Sequence, residues 1–185
     1  MSRGYVRIIG GKWRGRRITV PNIEGLRPTP DRVRETLFNW LSPVIVGMNC
    51  LDMFAGSGAL GLEALSRGAS SLVMVDQSAE VVRLLQEQCR TLGADLAQVY
   101  RAAAPKQLHL PATPFDLVFL DPPYQANLLL ASCFYLAETP GLLASNAYIY
   151  LEADHLILDN ELPADWQIVK SQRAGQAVYH LALSK

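Results

Sequence analysis

The chain has 185 residues, of which 50% are apolar, 18% charged and 8% aromatic. That length suits one domain and is enough to bury about 70% of the unfolded surface, so the chain is not of the disordered, core-less class. Seventeen basic and seventeen acidic residues cancel, and no apolar run approaches the ~18 residues of a membrane span.

The charge is segregated along the chain. Residues 1–34 hold nine Lys or Arg against Glu24 and Asp31, a net of +7, and the remainder carries −7. Val6-Arg7-Ile8-Ile9 and Arg16-Arg17-Ile18-Thr19-Val20 are β-prone runs around a Gly/Lys/Trp-rich turn, which predicts a hairpin. Tyr5 and Trp13 interleave with the bases there, and arginine both neutralises phosphates and stacks on bases. Arg7, Lys12, Trp13, Arg14, Arg16 and Arg17 are therefore expected to contact nucleic acid. Thr29 reads as the N-cap of a helix, with Pro30 at its first position and Asp31 in its first turn. Val33, Leu37, Trp40 and Leu41 carry its apolar stripe, and Ser42-Pro43 ends it.

From residue 50 the pattern alternates between strands and helices. Strands are predicted at 50–54, 71–75, 97–100, 115–120 and 147–151, with helices at 60–67, 78–89 and 128–136. Ser78 caps the second of these, which places Val81, Leu84, Leu85 and Cys89 on one face. Two runs, 166–170 and 177–183, form a closing antiparallel pair around Ala174-Gly175-Gln176. Apolar strands alternating with helices predict an α/β fold, a mostly parallel seven-stranded sheet covered on both faces. The expected organisation is a basic extension over residues 1–28 and a doubly wound domain over 29–185. Met1-Ser2-Arg3-Gly4-Tyr5 has basic character but no apolar h-region behind it, so no signal peptide is expected. Cys50, Cys89 and Cys133 are odd in number and widely spaced, which predicts reduced thiols in the cytoplasm.

Two motifs carry chemistry. Asp52-Met53-Phe54-Ala55-Gly56-Ser57-Gly58-Ala59-Leu60-Gly61 places G-x-G-x-x-G between a strand and a helix. Its glycines serve the tight turn, the close approach of a ligand to backbone, and helix–strand packing. Asp76 ends the next strand, where its carboxylate suits ribose hydroxyls. Asp52 precedes the glycines, and an acid there is unwelcome beside a pyrophosphate. It suits a ligand with a cationic amine and a sulfonium, which S-adenosylmethionine has and NAD lacks. The second motif, Asp121-Pro122-Pro123-Tyr124, follows the fourth strand at the carboxyl edge. Asp121 and the Pro122 carbonyl can accept both N–H bonds of an exocyclic amine, the prolines stiffen the loop, and Tyr124 can stack on a splayed base. That arrangement positions an amine for in-line methyl transfer.

His109, His155 and His180 show no metal-ligand spacing, so no metal is expected. Ser57 does not lie in the Gly-x-Ser-x-Gly of a hydrolase elbow. Glu152 and Asp154, after the fifth strand, read as a solvated rim.

The stretches Arg7-Ile8-Ile9-Gly10-Gly11 with Arg14-Gly15, Arg27-Pro28-Thr29 with Asp31-Arg32-Val33-Arg34-Glu35, Asp52 to Glu63, Asp121 to Tyr124 and Ala174-Gly175-Gln176 together resemble the RsmD family. The resemblance covers nearly the whole chain. It implies a Rossmann-like class I methyltransferase that moves a methyl group from S-adenosylmethionine to the exocyclic N2 amine of one guanine in bacterial small-subunit (16S) rRNA. It implies that Asp52, Phe54, Gly56, Ser57, Gly58 and Gly61 hold the cofactor, that Asp76 takes the ribose, and that Asp121, Pro122, Pro123 and Tyr124 bind the guanine. The segment from Thr29 to Arg32 is implied to close over the cofactor. Related enzymes often place Asp or Asn after the third strand to contact adenine. Here Arg101-Ala102-Ala103-Ala104 offers neither, so backbone and apolar contacts are expected instead. The expected partner is 16S rRNA within an assembling or assembled small subunit, bound by a cytoplasmic monomer. The alternatives are a DNA adenine-N6 methyltransferase, which uses the same D-P-P-Y motif, and a noncatalytic RNA-binding ribosome-assembly factor. Against the first, the chain has no room for a domain that reads duplex sequence.

Overall fold

The computed structural model describes residues 4–23, 28–106, 108, 110, 113–123, 128–175 and 177–185. β1 (Tyr5–Arg7) and β2 (Arg17–Thr19) form an antiparallel hairpin, with Tyr5 opposite Thr19 and Arg7 opposite Arg17. There follow α1 (Asp31–Leu41), β3 (Asn49–Asp52), α2 (Ala59–Ser66), β4 (Ser71–Asp76), α3 (Ala79–Leu92), β5 (Ala97–Arg101), β6 (Phe115–Leu120), α4 (Leu128–Glu138), β7 (Leu143–Ala153), β8 (Trp166–Ala174) and β9 (Ala177–Ser184). The last seven strands make one sheet in the order β5-β4-β3-β6-β7-β9-β8, parallel except where β9 runs against both β7 and β8. This is the predicted seven-stranded α/β fold.

Strand periodicity divides the core. Successive side chains point to opposite faces of a strand. Cys50, Leu72, Met74, Leu117, Phe119 and Tyr150 accordingly face one apolar cluster, and Leu51, Val73, Val75, Val118, Leu120 and Ile149 face the other. The first cluster also takes in Val33, Leu37 and Leu41 of α1, Leu85 of α3, and Val6, Ile8, Trp13 and Ile18 of the N-terminal segment. The extension predicted over residues 1–28 thus shares its core with the sheet. Trp13 is 7% exposed, so its indole is a core side chain and is not presented to a base.

The start of α1 differs from its prediction. The helix begins at Asp31 with Pro30 in the capping position and no side-chain cap. Ser78 does cap α3 as expected, its hydroxyl accepting from the Val81 N–H at 3.4 Å. Gly93 ends that helix in the left-handed region at φ +64°, where a side chain would add strain.

Polar ties attach the hairpin to the helices. Glu63 of α2 is fully buried, yet its carboxylate accepts from the N–H of Ile9 (2.7 Å), the N–H of Gly10 (2.8 Å), Arg67 Nε (2.7 Å) and an Arg34 guanidinium nitrogen (3.3 Å). Arg34, also fully buried, donates onward to the Arg7 carbonyl at 2.8 Å and to Asp31 at 2.7 Å. Ser66 accepts from the Trp13 N–H at 3.0 Å and donates to the Gly10 carbonyl at 2.6 Å. Gly11 sits at φ +75° so close to Ser66 that a Cβ would lie 1.7 Å from its carbonyl oxygen. Removing one partner of a buried ion pair strands the other charge and costs about 3–5 kcal/mol. Glu63→Ala is therefore expected to lose about that much stability in urea denaturation, far more than an exposed Glu87→Ala.

Candidate active site

The order of the sheet reverses between β3 and β6, and the crevice at the carboxyl ends of such strands is where α/β sheets bind ligands. Asp52 closes β3, Asp76 closes β4 and Asp121 follows β6 directly, so three of the predicted site residues share this edge.

The glycine loop turns tightly from β3 into α2. The Ala55 N–H reaches the Val75 carbonyl at 2.9 Å, and the Gly58 N–H reaches the Ala55 carbonyl at 2.7 Å. Gly58 adopts φ +79°, and a Cβ there would lie 2.7 Å from Leu85 of α3. Gly61 lies against β4, where a Cβ would come within 2.9 Å of Leu72. Asp76 spans the loop, one oxygen accepting from the Gly56 N–H at 3.1 Å and the other from the Ser78 N–H at 2.8 Å. Burial raises its pKa. Ser57 is buried and its carbonyl accepts from Gln88 at 3.3 Å, while the other end of that amide accepts from the Thr19 N–H of β2 at 2.7 Å. Gln88 thus ties the hairpin to the loop. Phe54 is half-buried and packs on the same cluster as Ala102 and Ala104 beyond β5. The Ala102 N–H is already engaged by the Asp76 carbonyl at 3.1 Å.

Asp52 settles the electrostatics of the loop. It is 3% exposed, and its Oδ2 accepts from the Gly61 N–H at 3.1 Å, in the first turn of α2. The positive end of that helix, which in a dinucleotide site faces phosphate, is here occupied by the protein's own carboxyl group. Burial lifts Asp52 to about 7, against the opposing pull of the Gly61 bond. A buried carboxyl group held near neutrality gains most from a cationic ligand.

Across the switch point, Asp121 accepts from the Thr29 hydroxyl at 3.3 Å. Thr29 is buried. Freed from capping α1, it braces the predicted amine-binding acid. Burial, then the nearby Glu152 and Asp52, push Asp121 well above the carboxylate range. Pro122 is buried and Pro123 exposed; Tyr124 lies outside the described residues. Arg32 is exposed in the first turn of α1.

Glu152 corrects the sequence reading. Expected on a solvated rim, it is 7% exposed and accepts from the Tyr150 hydroxyl at 2.7 Å. Asp154, two residues on, is exposed and pairs with His155 at 2.7 Å. The alternating strand pattern held the clue, since residue 152 continues the inward phase of Tyr150.

The basic residues fall elsewhere. Arg7, Lys12, Arg14, Arg16 and Arg17 are exposed. Arg16 donates to the Thr91 carbonyl at 3.2 Å, at the end of α3, and Trp13 bonds the last residue of α2. Both helices start at the crevice edge. The turn from Lys12 to Arg16 therefore lies one helix length below the edge, roughly 12 Å along α2 and roughly 21 Å along α3. Arg7 and Arg17 sit higher, on the outer face of the hairpin beside Tyr5. Among the described residues no group of His, Cys, Asp and Glu is arranged to hold a metal, and no helix is long and apolar enough to cross a membrane.

The family described as Conserved hypothetical protein 95 matches residues 6–183. The ribosomal RNA small subunit methyltransferase D of Escherichia coli K12 is 48% identical over 181 residues, covering 96% of this chain and 89% of that protein. The chain belongs to this methyltransferase family. The protein of the same name from Haemophilus influenzae is 43% identical over 186 residues, covering 97% of this chain and 94% of its own. The solved structure of yhhF from Escherichia coli superposes with a TM-score of 0.88 at 44% identity, covering 98% of this chain and 99% of that one. The family match begins inside β1, so hairpin and sheet belong to it together.

The raised Asp52 gives a pH signature. The folded protein holds a proton that the unfolded chain, ionising near ~3.9, releases. The contribution of Asp52 to stability accordingly falls as pH rises from about 4 to about 7, and Asp52→Asn flattens that part of the curve. Denaturation midpoints measured across this window check it; parallel curves for the two proteins would contradict it.

Proposed function

We propose that the protein transfers a methyl group from S-adenosylmethionine to the exocyclic N2 amine of a guanine in bacterial 16S rRNA, the base held at Asp121-Pro122-Pro123-Tyr124. The observation that carries this reading is the pairing, across one switch point, of a glycine loop backed by a buried acid with a braced acid at an amine-binding motif. Family membership and the printed name of the relatives support the substrate class.

S-adenosylmethionine fits the residues of the loop. Gly58 leaves no room for a side chain between the loop and Leu85, which seats the loop tightly on α3 at the crevice edge. Asp52 supplies the acid that an ammonium and a sulfonium require, and the filled helix terminus disfavours a phosphate in the same place. When bound, the cofactor supplies a methyl group on a positively charged sulfur. The protein's part is to orient the amine. Asp121 accepts one of its N–H bonds and the Pro122 carbonyl the other, so the nitrogen lone pair points along the line of attack. The amine gains the methyl and loses one proton, for which Asp121 is the nearest acceptor. Thr29 fixes the carboxyl group that does this.

RNA contact follows from the hairpin. Arg7 and Arg17 are direct cross-strand neighbours and both exposed. Like charges opposite one another repel, and a phosphate between them relieves that repulsion. Tyr5, 58% exposed, stands beside them as a stacking surface. Trp13 supports this face from beneath and takes no part in the contact. The enzyme acts as a cytoplasmic monomer on rRNA within the small subunit.

The test is labelled methyl transfer to unmodified small-subunit particles, naked 16S rRNA and duplex DNA, followed by nucleoside mass spectrometry. N2-methylguanosine is expected from RNA, and N6-methyladenine from DNA would overturn the reading. Asp121→Ala is expected to lower turnover at least about 100-fold with cofactor affinity retained, whereas Asp76→Ala weakens the cofactor by calorimetry. Replacing Arg7 and Arg17 together by Gln should reduce the slope of log affinity against log salt by about 2.

A further inference from the structure

Asp121 and Glu152 form a pair built by the sheet. The β6–β7 register sets Leu120 beside Leu151, so the next residues of these parallel strands emerge together at the carboxyl edge. Each is held by a hydroxyl from a different direction. Thr29, ahead of α1, donates to Asp121, and Tyr150, within β7, donates to Glu152. Tyr150 is itself fully buried, its ring lying 6.3 Å from Phe119 and 6.4 Å from Tyr179. The Glu152 side chain is therefore placed as firmly as the strand that bears it.

Two adjacent carboxyl groups, one half-buried and one buried, repel, and such a pair is relieved by a ligand that brings donors to both. Purine edges differ in this respect. Adenine presents one amine donor beside a bare N1 acceptor, whereas guanine presents its N2 amine beside an N1–H. A single carboxylate serves the amine of either base. A second carboxylate beside it matches only the base whose ring nitrogen carries a hydrogen.

We propose that Glu152 is the specificity-determining residue of this site, accepting the guanine N1–H while Asp121 accepts from the N2 amine. The proposal rests on the guanine-N2 reading above. A carboxylate offers about four lone-pair sites, so Glu152 can take a further donor beside the partners it already has. Adenine would set its N1 lone pair against Glu152, which leaves a buried acceptor unpaired and repelled. Sites built around a hydrogen bond reject a ligand lacking it far more strongly than apolar pockets reject a missing methylene.

The experiment replaces the target guanine by 2-aminopurine, which keeps the amine at C2 but has a bare N1, in the RNA substrate on which the wild type is active. Wild type is expected to lose at least about 100-fold in kcat/KM on the analogue. Glu152→Gln, whose amide can donate to a bare N1, is expected to lose at least about tenfold on guanine and to narrow the guanine/2-aminopurine ratio at least about tenfold. Cofactor affinity in this variant should stay within about twofold of wild type. Tyr150→Phe, which keeps the ring in the core, should narrow the same ratio to a smaller extent. Equal wild-type rates on guanine and 2-aminopurine would overturn the proposal without any variant. So would an unchanged ratio in Glu152→Gln. Failure of the parent reading shows differently, as absence of N2-methylguanosine from the unmodified substrate with wild type.

Discussion

One buried carboxylate organises the half of the molecule that carries the basic segment. Glu63 lies on α2, the helix that springs from the glycine loop, and takes donors from the hairpin, from α1 and from its own last turn. Without it the Ile9 and Gly10 N–H groups would be unpaired and Arg34 would be a lone charge in the core, each a cost of kilocalories. Against a total stability of about 5–15 kcal/mol such a loss is large. An apolar replacement of similar volume can leave net stability little changed, so the network's role lies in geometry as much as in energy. It fixes where the hairpin sits on α2, and Gly11 against Ser66 then admits no other seating. Gln88 makes a second tie, from Thr19 to the Ser57 carbonyl. Both helices that frame the cofactor loop are consequently held by the segment expected to meet RNA.

The opposite edge has the reverse character. Asp52, Asp76, Asp121 and Glu152 gather where the strands end, and burial pushes the three aspartates upward. The β6–β7 register sets Asp121 beside Glu152, while Asp52, level with Met74 and Phe119, stands two residues below Asp76 and Asp121 on the flanking strands. A crevice of this kind repels free phosphate and welcomes cations and N–H donors. Such an edge suits the amine of a base, whereas the exposed arginines of the hairpin suit phosphate. The fold assigns the two chemistries to separate faces of one body.

Most of the architecture was legible because it rests on periodicity. Apolar runs at 71–75 and 115–120, the Ser78 cap and the glycine loop each have a local cause, and local causes survive into the structure. The misplacements share another origin. Thr29 carries every local mark of a cap, but the helix starts two residues later and its hydroxyl turns to a residue 92 positions away. Trp13 sits among arginines in sequence, yet the tight hairpin turn points it inward. Glu152 looked like a rim acid because strand β7 was expected to end at 151, and it runs to Ala153. Tertiary partners decided all three, and a single sequence carries no record of them.

Charge counting shows the same limit from another side. The basic excess of residues 1–34 is real, but Arg34 is a buried strut bound to Glu63 and Asp31, and Arg16 caps the end of α3. Arg7 and Arg17, set opposite each other on the outer face, are the residues whose geometry calls for an anion. They stand above the Lys12–Arg16 turn and closer to the crevice, because the hairpin climbs along α2 and α3 toward it. On the reading proposed above, a phosphate held between these two arginines would lie beside Tyr5. The hairpin is then less a basic arm than a ramp, and its slope is set by the same buried glutamate that joins it to the helix.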